Sequence, residues 1–303
     1  MATAVGTLDD VEADARTVRA QINYLLPGTP INRRFVSAGV EVNTGKYAPF
    51  DVTIRDGRSI RRHFTLDRQG FVLADAASSV EDFYDFDEVD RIYPDEVAQH
   101  VKRLTGASFV AAIGWMIRTS GDVAAKQRER EGPYVHARGV QPPAGEAHID
   151  TEPSRADRQA EQVYRKLRPD GPGYSRYIYG SFWRSFSPPP QDCPLALCDN
   201  RSVGDEEGVP NVLQVVDQIP EGDAMFAPMD DESKPAAAIF HFNPSHRWWY
   251  FSNMHRDEAL LFKFHDSERS VAWRVPHTAF WDPSFPDANV RESIETRIYA
   301  FFE

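Results

Sequence analysis

Apolar and polar residues alternate in short segments along most of the chain, and helical spacing recurs in three places. The first is residues 9–24, where Val11, Ala15, Val18 and Ile22 follow one another every three or four residues. This spacing places the four side chains on one face of a helix. It therefore predicts an amphipathic helix that packs against a sheet.

Two further helices are predicted along the chain. Residues 79–105 carry an apolar stripe, with a helix start at Pro94 and a stop at Gly106, because proline suits a first helical turn and glycine a C-terminal cap. Another helix starts at Ser154, whose hydroxyl can cap it, and residues 169–173 break it. We expect the helix over residues 79–105, too, to pack against a sheet.

The remaining segments predict short strands. Residues 35–75 contain alternating stretches with turns at Asp56-Gly57 and Gln69-Gly70, and residues 107–117 are a continuous apolar run of strand type. From residue 174 onward the pattern is β to the end, with strands at 177–186, 213–216, 236–242, 248–252, 259–265, 271–276 and 293–302. Many short strands with proline-rich breaks are typical of a sandwich or jelly roll.

No repeat and no compositional boundary divides the 303 residues. We therefore predict one mainly β domain with flanking helices, of α+β class, over residues 1–303. Residues 1–120 form a helical and β N-terminal elaboration, and residues 121–303 form the jelly-roll core. The polar loop at 120–146 is either a lid over a site or a tolerated insertion.

Charge and composition exclude several classes of partner. The formal net charge is -12, which disfavours nucleic acid and anionic membranes. Cys193 and Cys198 are too few for a disulfide framework, so a reducing compartment is the default. Residues 1–10 do not resemble a signal peptide, and the longest apolar run, 109–117, is too short to span a bilayer. We expect a cytoplasmic protein that binds a small molecule.

The sequence His148-Ile149-Asp150 offers the candidate chemistry. On a strand, residues two apart point to the same face, so one imidazole and one carboxylate can bind a single ion. A distant third histidine would complete a two-histidine-one-carboxylate triad, the usual site of non-haem Fe(II) oxygenases. The motif alone is weak, since nine histidines in 303 residues make chance matches common.

His277 is the preferred third ligand, and His246 is its rival. His277 ends the predicted strand 271–276, and a loop over residues 282–289 leads to the last strand. Folded as a hairpin, this segment would bring His277 opposite Arg291 and Ser293. The other downstream histidines are His241, His255 and His265.

A 2-oxo acid would need the residues of that last strand. Its carboxylate needs an arginine, which can bind both oxygens, and a hydroxyl adds a further hydrogen bond. Arg291 and Ser293 share one strand face, and Arg297 on the same face is the reserve cation. The alternative is structural: His277 packs at a strand end, and the arginines pair with acids such as Glu292 or Glu295.

Several blocks of sequence resemble one known family. They are similar to blocks of the AsaB-like hydroxylase/desaturase family, which is also described as gibberellin-desaturase-like or CmcJ-like. The five blocks are CPLALCDNRSV at 193–203, NPSHRWWYFSNM at 243–254, DEALLFKFHDS at 257–267, PHTAFWDP at 276–283 and RESIETR at 291–297. Further similarity lies at 64–85 and 93–108. The blocks occur in the family's order, from about residue 20 to the end.

The resemblance implies a double-stranded β-helix, a cupin-like jelly roll, that uses Fe(II), 2-oxoglutarate and O2. Carried over by position, His148, Asp150 and His277 are iron ligands, and Arg291 and Ser293 hold 2-oxoglutarate. It also implies succinate and CO2 as products of an enzyme that hydroxylates, desaturates or cyclises a specialised metabolite or an amino-acid-derived substrate.

Substrate contacts are expected around the pair Trp183-Arg184, which matches a family pair, and around His246, Trp248 and Tyr250. Most aromatic side chains in a β sandwich are simply core, and Arg184 meets either a substrate carboxylate or a buried acid. Two other classes remain open: a cupin-like metalloenzyme that does not use 2-oxoglutarate, and a non-catalytic barrel that binds a small molecule.

Overall fold

The computed structural model describes residues 12, 14–37, 40–122, 140–231 and 234–303, and this part of the chain is mainly β. Its strands are β1 (Thr17–Leu25), β2 (Arg33–Ser37), β3 (Val40–Asn43), β4 (Tyr47–Asp56), β5 (Phe71–Asp75), β6 (Phe109–Thr119), β7 (Val140–Gln141), β8 (His148–Ile149), β9 (Arg176–Ser185), β10 (Leu195–Cys198), β11 (Val209–Val215), β12 (Pro235–Ile239), β13 (Trp248–Tyr250), β14 (Glu258–Asp266), β15 (His277–Ala279) and β16 (Glu292–Phe302). Its α-helices are α1 (Phe86–Thr105) and α2 (Pro153–Leu167), and 3-10 segments span Arg58–His63, Asn200–Ser202 and Gly222–Phe226.

The strands form two sheets. One has the order β1-β4-β13-β10-β15-β8-β12-β11-β2-β3, and the other has the order β5-β14-β9-β16-β6-β7. The larger hydrophobic cluster joins side chains of both sheets, such as Leu197 of β10 and Phe262 of β14. A second cluster joins the six-stranded sheet, for example at Ile298 of β16, to Val97 and Val101 of α1. The six-stranded sheet is therefore the middle layer, covered on both faces.

Successive residues of β9 and β16 point to opposite faces of this middle sheet. Trp183 and Tyr299 belong to the cluster between the sheets, whereas Phe182 and Ile298 belong to the cluster under α1. We call the face toward the ten-stranded sheet the inner face and the face toward α1 the outer face. This alternation decides which side chains of β9 and β16 reach the site.

The predicted helix over residues 9–24 is wrong from Thr17 onward. β1 occupies Thr17–Leu25 and pairs antiparallel with β4. Val18 and Ile22 are both buried, but residues four apart share a face in a strand as well as in a helix. Because both are β-branched, the strand is the better match to the same pattern. The first residues of the predicted helix lie outside the described ranges.

Helix α1 is confirmed, with a different first turn. The side chain of Asp85 accepts a hydrogen bond of 3.0 Å from the backbone N–H of Glu88 and caps the helix, so Pro94 lies inside it. The helix ends as predicted at Gly106, whose φ of +73° suits glycine. The helix therefore starts at Phe86, after the aspartate cap, and not at Pro94 as the sequence predicted.

Helix α2 is also confirmed, but Ser154 is not its cap. The side chain of Glu152 accepts hydrogen bonds from the backbone N–H groups of Ser154 and Arg155. Pro153 follows as the first helical residue, which its fixed φ favours.

Two expected β features are absent from the described residues. β4 ends at Asp56 and pairs with β1 and β13, and the chain continues through Gly57 into a 3-10 segment, so Asp56-Gly57 does not form a hairpin. Residues 271–276 are not a strand, because two of their backbone N–H groups bind the side chain of Asn200. The turn at Gly70 is present, with φ +93°.

Residues 123–139, most of the predicted lid, lie outside the described ranges. None of the helices in the described ranges combines the length and the apolar character of a membrane span.

Candidate metal centre

Strand pairing brings two of the three predicted ligands together. β8 and β15 are antiparallel neighbours, and His148 pairs directly with His277. Side chains of directly paired residues lie on the same face of a sheet, and the two imidazole rings are 4.3 Å apart between centroids. Asp150 directly follows β8 and is two residues after His148, so its side chain lies on the same side as that of His148.

Backbone carbonyls fix the orientation of both imidazoles. The Nδ1–H of His148 donates to the carbonyl oxygen of Glu146 at 2.8 Å, and the Nδ1–H of His277 donates to that of Val275 at 3.2 Å. Such a bond sets the tautomer of a ligating histidine. It leaves the lone pair of Nε2 on each ring directed to the site.

The three candidate ligands are close enough to share one ion. Their ligand atoms all lie within 4.8 Å of one another. Burial alone would raise the pKa of Asp150, but the charge of Arg297 and the neighbouring His148 hold it well below its usual range. Burial and the neighbouring His148 lower the pKa of His277 to about 3. The carboxylate of Asp150 and the neutral imidazole of His277 are the protonation states that a metal requires. For His148, burial lowers the pKa but the neighbouring Asp150 outweighs it and raises the pKa above its usual value.

Arg291 reaches the site from the opposite sheet. One cavity is lined by both histidines together with Arg291 and Trp183, and the guanidinium Cζ lies 5.7 Å from the centroid of the Trp183 ring. The predicted hairpin is wrong, because β15 and β16 belong to different sheets. Arg291 and His277 meet because the sheets face each other.

The guanidinium of Arg291 is buried and unpaired. The residue is 1% exposed, its Nε has no hydrogen-bond partner, and no ion pair of its side chain occurs among the described residues. Its backbone N–H is held by the side chains of Ser120 and Asp192, each at 2.9 Å. Burial lowers the pKa of Arg291. A fixed, desolvated cation without an acid is suited to bind an anion.

The reserve cation, Arg297, is already engaged. Its Nη2 lies 3.1 Å from Oδ2 of Asp150. Ser293 is fully buried, and its hydroxyl donates to the carbonyl oxygen of Arg118 in a long hydrogen bond of 3.4 Å. A role for Ser293 in binding 2-oxoglutarate therefore stays a prediction.

The sequence prediction missed a charged pair in the same cavity. Arg118 at the end of β6 and Glu295 of β16 line it, and they form a bidentate ion pair at 3.0 and 3.2 Å. The sequence contained an indication of each of these two residues. Arg118 ends the apolar run that predicted β6, and Glu295 continues the alternation of Arg291 and Ser293.

Arg184 is on the wrong face to reach this cavity. Trp183 points inward, and Arg184 points outward beneath α1, where its Nε donates to the hydroxyl of Tyr93 at 3.1 Å and Nη1 donates to the carbonyl oxygen of Arg256. The expected substrate carboxylate or buried acid is replaced by these neutral acceptors. Adjacent strand residues cannot both face the same pocket.

His246, Trp248 and Tyr250 do not line the cavity of the triad. Nε2 of His246 contacts Glu207 at 2.8 Å, and its Nδ1 contacts the hydroxyl of Tyr24 at 3.2 Å. Both ring nitrogens are thus occupied, which argues against His246 as a metal ligand. Trp248 donates to the same Tyr24 hydroxyl at 2.8 Å, and Tyr250 packs edge-on against Phe280.

The residues present fit the groups that such a site needs. Two nitrogen donors and one carboxylate oxygen suit Fe(II) and leave positions open, and the orphaned guanidinium of Arg291 suits a carboxylate. Together they define the class of non-haem iron oxygenases that use a 2-oxo acid.

Comparisons with known proteins agree with this class. Residues 22–301 match the family model described as "Oxidoreductase/YMDC permease-like domain". The chain is 33% identical to the hydroxylase/desaturase efuI of Hormonema carpetanum over 85% of each chain, and 31% identical to the hydroxylase/desaturase CTB9 of Cercospora beticola over 85% of this chain and 78% of the relative. The solved structure of the iron and alpha-ketoglutarate-dependent endoperoxidase NvfI matches with a TM-score of 0.74 and 25% identity, over 94% of this chain and 98% of that one.

The chain belongs to the AsaB-like hydroxylase/desaturase family of Fe(II)/2-oxoglutarate-dependent oxygenases. Its cofactor is Fe(II), and its cosubstrates are 2-oxoglutarate and O2.

Proposed function

We propose that His148, Asp150 and His277 hold the iron and that Arg291 binds the far carboxylate of 2-oxoglutarate. The observation that carries this proposal is the buried, unpaired guanidinium of Arg291 in the cavity of the two histidines. The two other arginines beside the site are paired, Arg118 with Glu295 and Arg297 with Asp150. Arg291 is therefore the cation whose charge an incoming dicarboxylate would neutralise.

Each side chain would have a defined task. The bound iron and 2-oxoglutarate supply the oxidising chemistry, with succinate and CO2 as products. The Nδ1–H bonds of His148 and His277 hold the rings in position, and Arg291 fixes the far end of the keto acid. Trp183 covers the guanidinium and keeps water from it. The protein thereby contributes position and a dry cavity, while the metal contributes reactivity.

The organic substrate would enter through a recess of about 450 Å³ beside the triad. Its lining residue Ala279 also lines the cavity of the triad, and Cys193 in its wall is a near neighbour of Arg291. Phe280 and Trp281 form an aromatic side of the recess. A volume of this order suits a small molecule. We propose hydroxylation, desaturation or ring closure of a specialised metabolite or an amino-acid-derived substrate.

We further propose that the whole chain is one catalytic domain with a double-stranded β-helix core, and that it works in the cytoplasm. The two facing sheets and the structural match support the fold. The small number of cysteines and the absence of disulfides support a reducing compartment.

An anaerobic titration tests this function. Fe(II) is added to metal-free protein, 2-oxoglutarate is titrated in, and the visible spectrum is recorded. We expect a weak charge-transfer band that saturates, because the keto acid chelates an iron held by three protein ligands. Bound iron without a band would favour a cupin-like metalloenzyme that does not use 2-oxoglutarate. No iron binding at all would favour a small-molecule-binding barrel.

A further inference from the structure

We propose that Arg297 is a positioning residue that restricts Asp150 to a single bond with the metal. This inference rests on the proposed metal site. The reserve role of Arg297 as a 2-oxoglutarate cation is replaced by a role on the carboxylate ligand itself.

The two oxygens of Asp150 have different partners. Oδ2 accepts a hydrogen bond of 3.1 Å from Nη2 of Arg297, and Oδ1 lies 3.5 Å from Nε2 of His148. Since Nε2 is the ligating nitrogen that the tautomer of His148 leaves available, Oδ1 is the oxygen on the metal side. Arg297 therefore occupies the oxygen that faces away from the imidazole.

The number of coordination positions gives this contact its importance. Two imidazoles and one carboxylate oxygen cover three positions of an octahedral ion. A chelating keto acid would need two of the remaining positions, and the cosubstrate O2 would need the last one. A second bond from Asp150 would compete with a cosubstrate. A guanidinium hydrogen-bonded to Oδ2 opposes that second bond by holding its lone pair and by placing a positive charge there.

The strand geometry shows how Arg297 is directed at Asp150. β16 keeps an unbroken register with β9 through Arg297, which pairs with Ser181. Arg297 therefore keeps the strand alternation and points to the inner face with Glu295 and Tyr299. On the other side of β16, the pairing with β6 shifts between Thr296 and Ile298, and the extra residue lies in β6 beside Gly114, whose φ of +96° is readily available only to glycine. Arg297 thus reaches the metal ligand from a regular strand position opposite a bulge in β6.

Two variants and one control test the inference with metal-loaded protein and no substrate. R297Q removes the charge, R297K keeps it without the planar fork, and R165Q alters an exposed arginine on α2. Metal-free protein is loaded with Mn(II), and water-proton relaxation reports the number of exchangeable waters on the ion. The affinity for 2-oxoglutarate is then measured by displacement of those waters.

We expect R297Q to bind Mn(II) with fewer exchangeable waters than the wild type and to bind 2-oxoglutarate about 10-fold more weakly. R297K should recover part of both losses, and R165Q should match the wild type. Equal hydration and equal 2-oxoglutarate affinity in folded R297Q and wild type would overturn the inference. So would loss of Mn(II) binding in both folded Arg297 variants, because Arg297 would then be needed for binding itself. Failure of the wild type to bind Mn(II) would instead count against the proposed metal site.

Discussion

Two arginines on the six-stranded sheet differ in almost everything except burial. Arg184 of β9 lies on the outer face and Arg291, just before β16, serves the inner cavity; they are 0% and 1% exposed. Arg184 donates hydrogen bonds to the Tyr93 hydroxyl and the Arg256 carbonyl, whereas the side chain of Arg291 has no such partner among the described residues. The fold binds Arg184 through Nε and Nη1 and leaves only its Nη2 without a partner, whereas it provides no side-chain partner for Arg291, and this difference supports the proposed role of Arg291 toward a ligand.

This contrast shows why burial by itself does not identify a functional cation. A buried charge is costly unless it is hydrogen-bonded, so a fold that keeps Arg291 unpaired loses stability in the ligand-free state. Arg184 costs less because its partners are part of the protein. Substitutions on the inner side should therefore impair binding and turnover, and substitutions on the outer face should impair folding.

The largest effect is expected on the inner side, at His148. His148→Ala removes a predicted iron ligand, so turnover should fall on the order of 1,000-fold or more, since several kcal/mol of metal-dependent catalysis disappears. Iron binding is measured by equilibrium dialysis, and turnover by succinate release. The exposed His63→Ala is the matched control and should behave as wild type. Full iron binding and turnover in His148→Ala would remove it from the ligand set.

The next largest effect is expected on the outer face. Arg184→Ala leaves a cavity and two acceptors without their donor, so the free energy of unfolding should fall by about 2–4 kcal/mol. Denaturant unfolding measures this change. The affinity of the folded fraction for 2-oxoglutarate should stay near that of the wild type. A selective loss of 2-oxoglutarate binding with intact stability would show that Arg184 acts on the site after all.

Arg291→Ala should give the opposite result. A charge-assisted contact to a carboxylate contributes about 1.5–3 kcal/mol, so the KM for 2-oxoglutarate should rise about 10- to 100-fold. The metal-free protein should lose little stability or gain some, because an unpaired buried cation is removed. Arg291→Lys should restore part of the affinity. If Arg291→Ala leaves the KM for 2-oxoglutarate unchanged, Arg291 is not the cation that binds the keto acid.

The smallest effect is expected at the rim of the recess. Trp281 is 64% exposed, so Trp281→Ala should change the free energy of unfolding by only about 0.5 kcal/mol or less. The affinity for 2-oxoglutarate should not change. The KM for the organic substrate, measured by succinate release, should rise a few-fold if the ring covers it. An unchanged KM would move the substrate away from this side of the recess.

Local sequence patterns predicted which kinds of secondary structure the fold contains. Alternation and turn residues indicated a mainly β chain, and the apolar stripe ending at Gly106 indicated α1. They failed at residues 17–24, because Val18 and Ile22 fit a strand and a helix equally well. They also failed for the supposed hairpin between His277 and Arg291, because strand partners are chosen by distant parts of the chain.

The sequence by itself determined which chemical groups lie near one another along the chain. His148 and Asp150 are two residues apart, and Arg291, Ser293, Glu295 and Arg297 repeat with the period of a strand. These side chains share a face because successive residues of a strand alternate, so the relation holds wherever the segment forms a strand. The resemblance to a family added the expected metal and cosubstrate.

Only the tertiary structure decided how those groups meet. Direct pairing of β8 with β15 placed His277 beside His148, whereas both ring nitrogens of His246 contact other side chains. The facing sheets brought Arg291 to the cavity and directed Arg184 away from it. The contact of Arg297 with Asp150 left Arg291 as the unpaired cation. Partners for buried charges come from distant segments, so their assignment requires the packed fold.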